Sequence, residues 1–167
     1  LSQGTKEMYR AEVGFPIGYF WGYKTNGVFQ NADEVAAATA KLEGTQPGDL
    51  IYVDTNGDGA ITDDDKVMIG DPNPDFQANL SLNFGYKGFD LSFTTVGKFG
   101  HQIAKSYRSF ADSPLQNYTT DIFERWHGEG TSNRLPRLTS GSNPNWQNIS
   151  DIYIESGDYA KIQNLTV

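Results

Sequence analysis

Residues 79–95 read Asn-Leu-Ser-Leu-Asn-Phe-Gly-Tyr-Lys-Gly-Phe-Asp-Leu-Ser-Phe-Thr-Thr. Leu80, Leu82, Phe84 and Tyr86 alternate with Asn79, Ser81, Asn83 and Gly85; beyond Lys87-Gly88, Phe89, Leu91 and Phe93 alternate with Asp90, Ser92 and Thr94. Successive side chains of a strand point to opposite faces, so a period of two sorts apolar from polar residues. Lys-Gly between two such runs is a two-residue turn. The stretch therefore predicts an antiparallel hairpin with Leu80, Leu82, Phe84, Phe89, Leu91 and Phe93 on one face and Asn83, Asp90 and Ser92 on the other. Alternation alone suits one layer of a soluble sandwich as well as the wall of a membrane barrel, where the apolar face meets lipid.

Outward from the hairpin, Asp71-Pro-Asn-Pro-Asp-Phe76 precedes it. Each proline pushes its predecessor into extended geometry, so this is a stiff connector. Ile17 to Tyr23 alternates in two and reads as a strand with Ile17, Tyr19, Trp21 and Tyr23 on one face. Asn31 as a cap, Glu34 three residues on, an Ala-rich run to Leu42 and Gly44 beyond it predict a short helix over 32–42. Leu50 to Val53 is strand-like. Ser113, Pro114 and Gln116 form a helix start, and Leu115, Tyr118, Ile122, Phe123 and Trp126 recur at helical spacing, predicting a helix over 114–126 that packs Leu115, Ile122 and Phe123 onto its own loop. Each helix is too short to span a bilayer core of roughly 30 Å. Residues 128–150 read as a long irregular loop, and Tyr159 to Val167 is extended.

The 167 residues suffice for one ordinary domain. Acids outnumber bases 21 to 13, net charge −8, which disfavours a nucleic-acid partner, since phosphate recognition needs gathered Lys and Arg. Absence of cysteine removes disulfides, thiolate metal sites and thiol nucleophiles. With 10 Phe, 9 Tyr, 3 Trp and 18 Gly, the chain is rich in amphipathic rings, yet its mean hydropathy is −0.54. Sugar-binding β-modules and membrane barrels share that profile. Leu1 is not a start methionine and no leader pattern follows, so the chain is expected to begin within a longer protein.

Between these elements lies Asp54-Thr-Asn-Gly-Asp-Gly-Ala-Ile-Thr-Asp-Asp-Asp65. Oxygen-bearing side chains stand at positions 1, 3 and 5, Gly at 6, an apolar residue at 8 and a carboxylate at 12, the spacing of calcium-binding loops. The expected ligands are Asp54, Asn56, Asp58, the carbonyl of Ala60, Thr62 and Asp65, with a calcium ion in a structural role. The competing reading is a solvated Asp/Asn/Gly turn held by side-chain to backbone bonds. His101 and His127 lack a second ligand at metal spacing and read as surface or capping positions.

Six blocks taken in order resemble the SusC/RagA family of TonB-dependent outer-membrane transporters over nearly the whole chain. They are Phe15 to Gln30; Gln46-Pro-Gly-Asp49 running into Asp54-Thr-Asn-Gly-Asp-Gly59; Ile69 to Phe76; Tyr86 to Ser92; Glu124-Arg-Trp126; and Tyr159 to Val167. The resemblance implies a mainly β fold, antiparallel strands of a transmembrane β-barrel with two short loop helices. Residues 1–167 would then be part of a single barrel domain of about 22 strands, with plug and final strands outside them. It further implies import of oligosaccharide or peptide across the outer membrane, a SusD-like lipoprotein partner, TonB as energy source through parts outside this chain, and lipid contact. No enzyme activity is expected, because no two carboxylates are tied together as a glycosidase pair. The alternative is a secreted, calcium-stabilised carbohydrate-binding or adhesion module that stacks sugars on Tyr19, Trp21 or Trp146.

Overall fold

The computed structural model describes residues 2–3, 6–105, 120–139 and 143–167, and it is mainly β with few helices. In chain order, β1 (Ser2–Gln3) pairs with β2 (Lys6–Glu7). Next, β3 (Tyr9–Arg10) and β4 (Tyr19–Gly22) start a sheet that β7 (Val67–Gly70) completes in the order β3-β4-β7. Between them β5 (Thr25–Val28) pairs with β6 (Leu50–Tyr52). The β4 strand is shorter than its alternation predicts and is covered on both sides. Tyr19 and Phe20 are both buried whereas Ile17 is exposed. A register shift against β7 between Phe20 and Trp21 breaks the period of two. Tight packing continues at Gly22, where a Cβ would come 2.5 Å from the Ile149 carbonyl oxygen.

The first predicted helix is α1 (Ala32–Ala37), capped by the Asn31 side chain, which accepts from the Glu34 N–H. It stops five residues short of Leu42, because Ala38 turns extended and the Lys41 ammonium takes the Val35 and Ala38 carbonyls at 2.6 and 3.3 Å.

The hairpin forms as its pattern predicts and extends beyond it: β8 (Phe76–Tyr86) and β9 (Phe89–Phe99), eleven residues each, pair throughout from Phe76–Phe99 to Tyr86–Phe89. Lys87 (φ 51°) and Gly88 (φ 85°) both lie at positive φ, the geometry whose twist suits a two-residue hairpin turn. After the short β10 (Gln102–Ala104), the chain returns through α2 (Pro144–Gln147) and β11 (Ile154–Ser156), which pairs with β10, to β12 (Tyr159–Thr166), which lies along β9. The main sheet thus runs β12-β9-β8, with a bulge at Gln163.

The core lies outside this sheet. Tyr23, Val28, Leu50, Tyr52, Leu135, Trp146, Ile152 and Tyr153 form one buried cluster, and Met8, Phe20, Ile69 and Ile149 another. Residues 128–150, expected to be an irregular loop, therefore supply core: Asn143 caps α2 and Trp146 is buried within it. A buried network ties this segment to the β6 strand. The Arg137 Nε donates to Asp49 Oδ1 at 2.7 Å, Asn145 Nδ2 donates to the same oxygen at 2.9 Å, and the Leu50 N–H donates to Asn145 Oδ1 at 2.8 Å. Of the helix predicted over 114–126, residues 114–119, Leu115 among them, lie outside the described residues. Thr120–Glu124 is a 3-10 helix that buries Ile122 and leaves Phe123 76 % exposed.

Candidate functional site

In the acidic loop each oxygen-bearing side chain bends the backbone around itself. Asp54 accepts the N–H groups of Gly57 and Gly59 at 2.6 and 2.8 Å, Asn56 that of Asp58 at 2.9 Å, and Asp58 that of Ala60 at 2.8 Å. Gly57 and Gly59 sit at φ 77° and 85°, which side-chain-bearing residues rarely adopt. Thr62 opens the 3-10 turn Asp63–Asp65, its hydroxyl accepting the Asp64 N–H at 3.3 Å, while Asp65 Oδ2 accepts the Thr62 N–H at 2.8 Å, a capping box. Asp65 is fully buried, and its other oxygen accepts the Thr55 N–H at 2.9 Å. The Thr62 N–H, helped by Thr55, holds the Asp65 carboxyl below the usual carboxylate range against the opposing effect of burial.

The six expected calcium ligands are therefore on one loop with all-oxygen donors, the chemistry a hard cation needs. Among the described residues no three His, Cys, Asp or Glu side chains are grouped to hold a metal ion. The carboxylate oxygens of Asp54, Asp58 and Asp65 each accept backbone N–H groups of the loop.

The loop's far end reaches Tyr23, the residue that follows the β4 strand. Tyr23 donates its hydroxyl to Asp63 Oδ1 at 3.0 Å, and Lys66 pairs with the same oxygen at 2.8 Å. Burial pushes the Tyr23 hydroxyl up, and Asp63 adds to the shift. These groups, with Glu7, Arg10, Trp21 and Ile149, line a cleft of about 380 Å³. The Arg10 guanidinium lies 3.9 Å from the Trp21 ring centroid. Tyr19 and Trp146 are core residues, with 0 and 2 % exposure. Two of the three rings expected to stack sugars in a soluble module are thus buried and the third carries an arginine.

The main sheet has the opposite character. Its apolar face carries Leu80, Phe84, Phe89 and Ile162 at 52, 58, 55 and 63 % exposure. Phe76 and Phe99 stack at one end of that face, ring centroids 6.2 Å apart, and Tyr86 stands opposite Phe89 at the other. The reverse face is polar: Ser81 bonds Thr94 at 3.1 Å, and Ser92 donates to Asn83 at 2.6 Å. Alternation made both faces legible, but the pairing of β12 to β9 carried no signal in the sequence.

The chain matches no family profile. It is 30 % identical over 154 residues to TonB-dependent receptor P3 of Formosa agariphila, 92 % of this chain and 15 % of that protein. It is 26 % identical over 162 residues to TonB-dependent receptor P26 of the same organism, 93 % of this chain and 16 % of that protein. TonB-dependent receptor SusC of Bacteroides thetaiotaomicron is 26 % identical over 125 residues, 75 % of this chain and 12 % of that protein. The chain thus spans about a sixth or less of the length of these relatives. With blocks 15–30, 69–76, 86–92 and 159–167 in order, a hairpin of barrel-strand length and a likeness to these receptors over most of its residues, the chain belongs to the SusC-like TonB-dependent receptors, as a segment of one.

Proposed function

We propose that this segment forms part of the wall and outer loops of a closed transmembrane β-barrel in an outer-membrane importer. The observation that carries the reading is the exposed face of the main sheet, apolar in the middle and aromatic at both ends. From Phe76 to Tyr86 is ten steps, about 33 Å along a strand, or about 25 Å of height at a tilt of roughly 40°, the height of the lipid-facing band between two aromatic girdles. The two-residue turn at Lys87-Gly88 marks the periplasmic end, because barrel turns are short there and loops long outside. The core built by β3 to β7 and the 120–156 segment then stands on the extracellular side. The whole protein would import an oligosaccharide or peptide, with a SusD-like lipoprotein outside and TonB engaged through parts beyond this chain. Nitroxide labels at Leu82→Cys and Asn83→Cys in the full-length protein test the placement. Leu82 should be accessible to oxygen dissolved in lipid and Asn83 to an aqueous relaxation reagent; equal aqueous access at both would refute it.

We propose, second, that loop 54–65 takes a structural calcium ion through Asp54, Asn56, Asp58, the Ala60 carbonyl, Thr62 and Asp65. The support is the spacing, the oxygen-only donors, and the second lone pair left on each carboxylate oxygen that accepts one N–H. The ion would offset the repulsion among Asp54, Asp58 and Asp65 and stiffen the entry to β7. Calcium titration of the full-length protein by calorimetry should give heat that Asp58→Ala abolishes. No heat, with thermal unfolding unchanged by a chelator, leaves the self-bonded turn as the correct reading.

A further inference from the structure

The polar face of the main sheet carries two lysines that nothing in the described structure neutralises. Antiparallel pairing places Lys98 of β9 between Gln77 of β8 and Tyr159 of β12, and Lys161 two residues along from Tyr159 opposite Val96. Lys98 and Lys161 are therefore diagonal neighbours on one face, with Cβ atoms within roughly 7–8 Å. Neither makes an ion pair among the described residues, in a chain whose net charge is −8. The acids nearest that end of the sheet are turned elsewhere: Asp158 accepts the Gly100 N–H at 2.7 Å and lies 3.9 Å from His101 Nδ1, and Asp75 packs against Gly100. Beside the lysines Tyr159 is 38 % exposed, its ring T-shaped to that of His101 with centroids 6.3 Å apart and the Lys161 ammonium 5.9 Å from its centroid. The placement of the Lys87-Gly88 turn proposed above makes this the outer end of the sheet, where a substrate would enter.

We infer that Lys98, Lys161 and Tyr159 form a lumen subsite for an anionic oligosaccharide, in which the Tyr159 ring takes the apolar face of a sugar and the two ammonium groups take its carboxylate or sulfate substituents. The inference rests on the importer reading and narrows its substrate class. A pair of like charges on the wall of a lumen raises the local concentration of anions, and barrels use lumen-facing charges to set selectivity. An aromatic ring beside them favours a saccharide over an acidic peptide, because a pyranose offers an apolar C–H face of matching size.

The test is calorimetry on the full-length protein in nanodiscs, titrated with a heparin hexasaccharide, neutral maltohexaose and hexaglutamate at low and high salt. The hexasaccharide should bind more tightly than either other probe and weaken as salt screens the charges. Lys98→Gln with Lys161→Gln should weaken it about tenfold or more, as expected for losing two charge-assisted contacts, and the paired Arg substitutions should restore it. Equal binding of maltohexaose, tighter binding of hexaglutamate, or undiminished binding by the double Gln variant would overturn the inference. So would a lowered melting temperature with unchanged binding, which would mean that the lysines pair with carboxylates elsewhere in the barrel. The nitroxide labels at positions 82 and 83 separate the two failures: lumen placement retained without anion binding removes only this inference, while lost placement removes the importer reading as well.

Discussion

Ile162 and Leu165 are three residues apart yet lie on the same face of the sheet. Ile162 stands opposite Thr95 and Leu165 opposite Phe93, two positions of one face of β9, because the extra residue at Gln163 shifts the register between them. In an unbroken strand an odd separation puts two side chains on opposite faces. The bulge therefore keeps the apolar surface continuous across β12, β9 and β8.

Deleting Gln163 alone should be tolerated, because Ile162, Asn164 and Leu165 would then stand consecutively opposite Thr95, Thr94 and Phe93, as in an unbroken strand. Deleting Gln163 and Asn164 together should force a choice between pairing and facing: either Leu165 turns to the polar side or the strand slips against β9, and in both cases less of the full-length protein should reach the heat-modifiable folded form on a cold detergent gel. Wild-type yields from the double deletion would mean that facing does not govern assembly of this strand.

Arginine substitutions should separate the two faces. Leu82→Arg near the middle of the apolar band should cost roughly 2–4 kcal/mol of folding stability in lipid vesicles, the depth-dependent cost of a cation facing hydrocarbon, whereas Asn83→Arg on the reverse face should cost far less. Denaturant titrations of the refolded full-length protein give both values on one scale.

Asp49→Ala should be among the more damaging changes in the core that lies outside the main sheet. Asp49 is buried and its carboxylate accepts from Arg137 at 2.7 Å, from Asn145 at 2.9 Å and from the Gln46 N–H at 2.8 Å. Removing the carboxylate leaves the buried Asn145 amide without this acceptor and the part-buried Arg137 guanidinium without its counter-charge, at a cost of about 2 kcal/mol. Local hydrogen exchange at the Leu50 amide should rise accordingly, while exchange in the hairpin stays unchanged.

Loop 54–65 should loosen in acid. The folded protein holds the Asp65 carboxyl below its ordinary value of 3.8, so the folded state takes up this proton less readily than the unfolded chain. Ionised Asp65 therefore contributes stability above that ordinary value, and the contribution is lost as pH falls through the lower folded value. Amide exchange at Thr55 and Thr62, corrected for its intrinsic pH dependence, should show the opening, and Asp65→Asn should remove the pH dependence.

The hairpin was legible because its information is local: six apolar positions, a turn that needs two positive φ angles, and alternation between them. The outer core was not. Trp146, Ile149 and Tyr153 sit in or beside a stretch rich in Gly, Ser, Asn and Pro, and their burial comes from β4, β5 and β6 more than a hundred residues earlier or nearly so, which no window along the chain records. The same applies to Tyr19 and Phe20, where burial on both sides overrides the alternation expected of one strand face. In the acidic loop the spacing that suits a cation also suits a chain of self-bonded turns. Asp65 is the residue that reveals the second use, through a capping box readable only once the 3-10 turn is seen.

The stitches across the outer core join residues from both sides of the hairpin in sequence: Thr25 to Asp151 at 2.6 Å, Val28 to Asn133 at 3.0 Å, and Asp49 to Arg137. None of them can close until the two flanking stretches stand on the same side of the sheet. Assembly has therefore a built-in order, in which the hairpin, made of neighbours, forms early, and the ledge above it sets late, since its contacts span up to 126 residues. A fault in the hairpin should consequently appear first as a ledge that never closes, exposed to protease while the strands beneath it are still finding their partners.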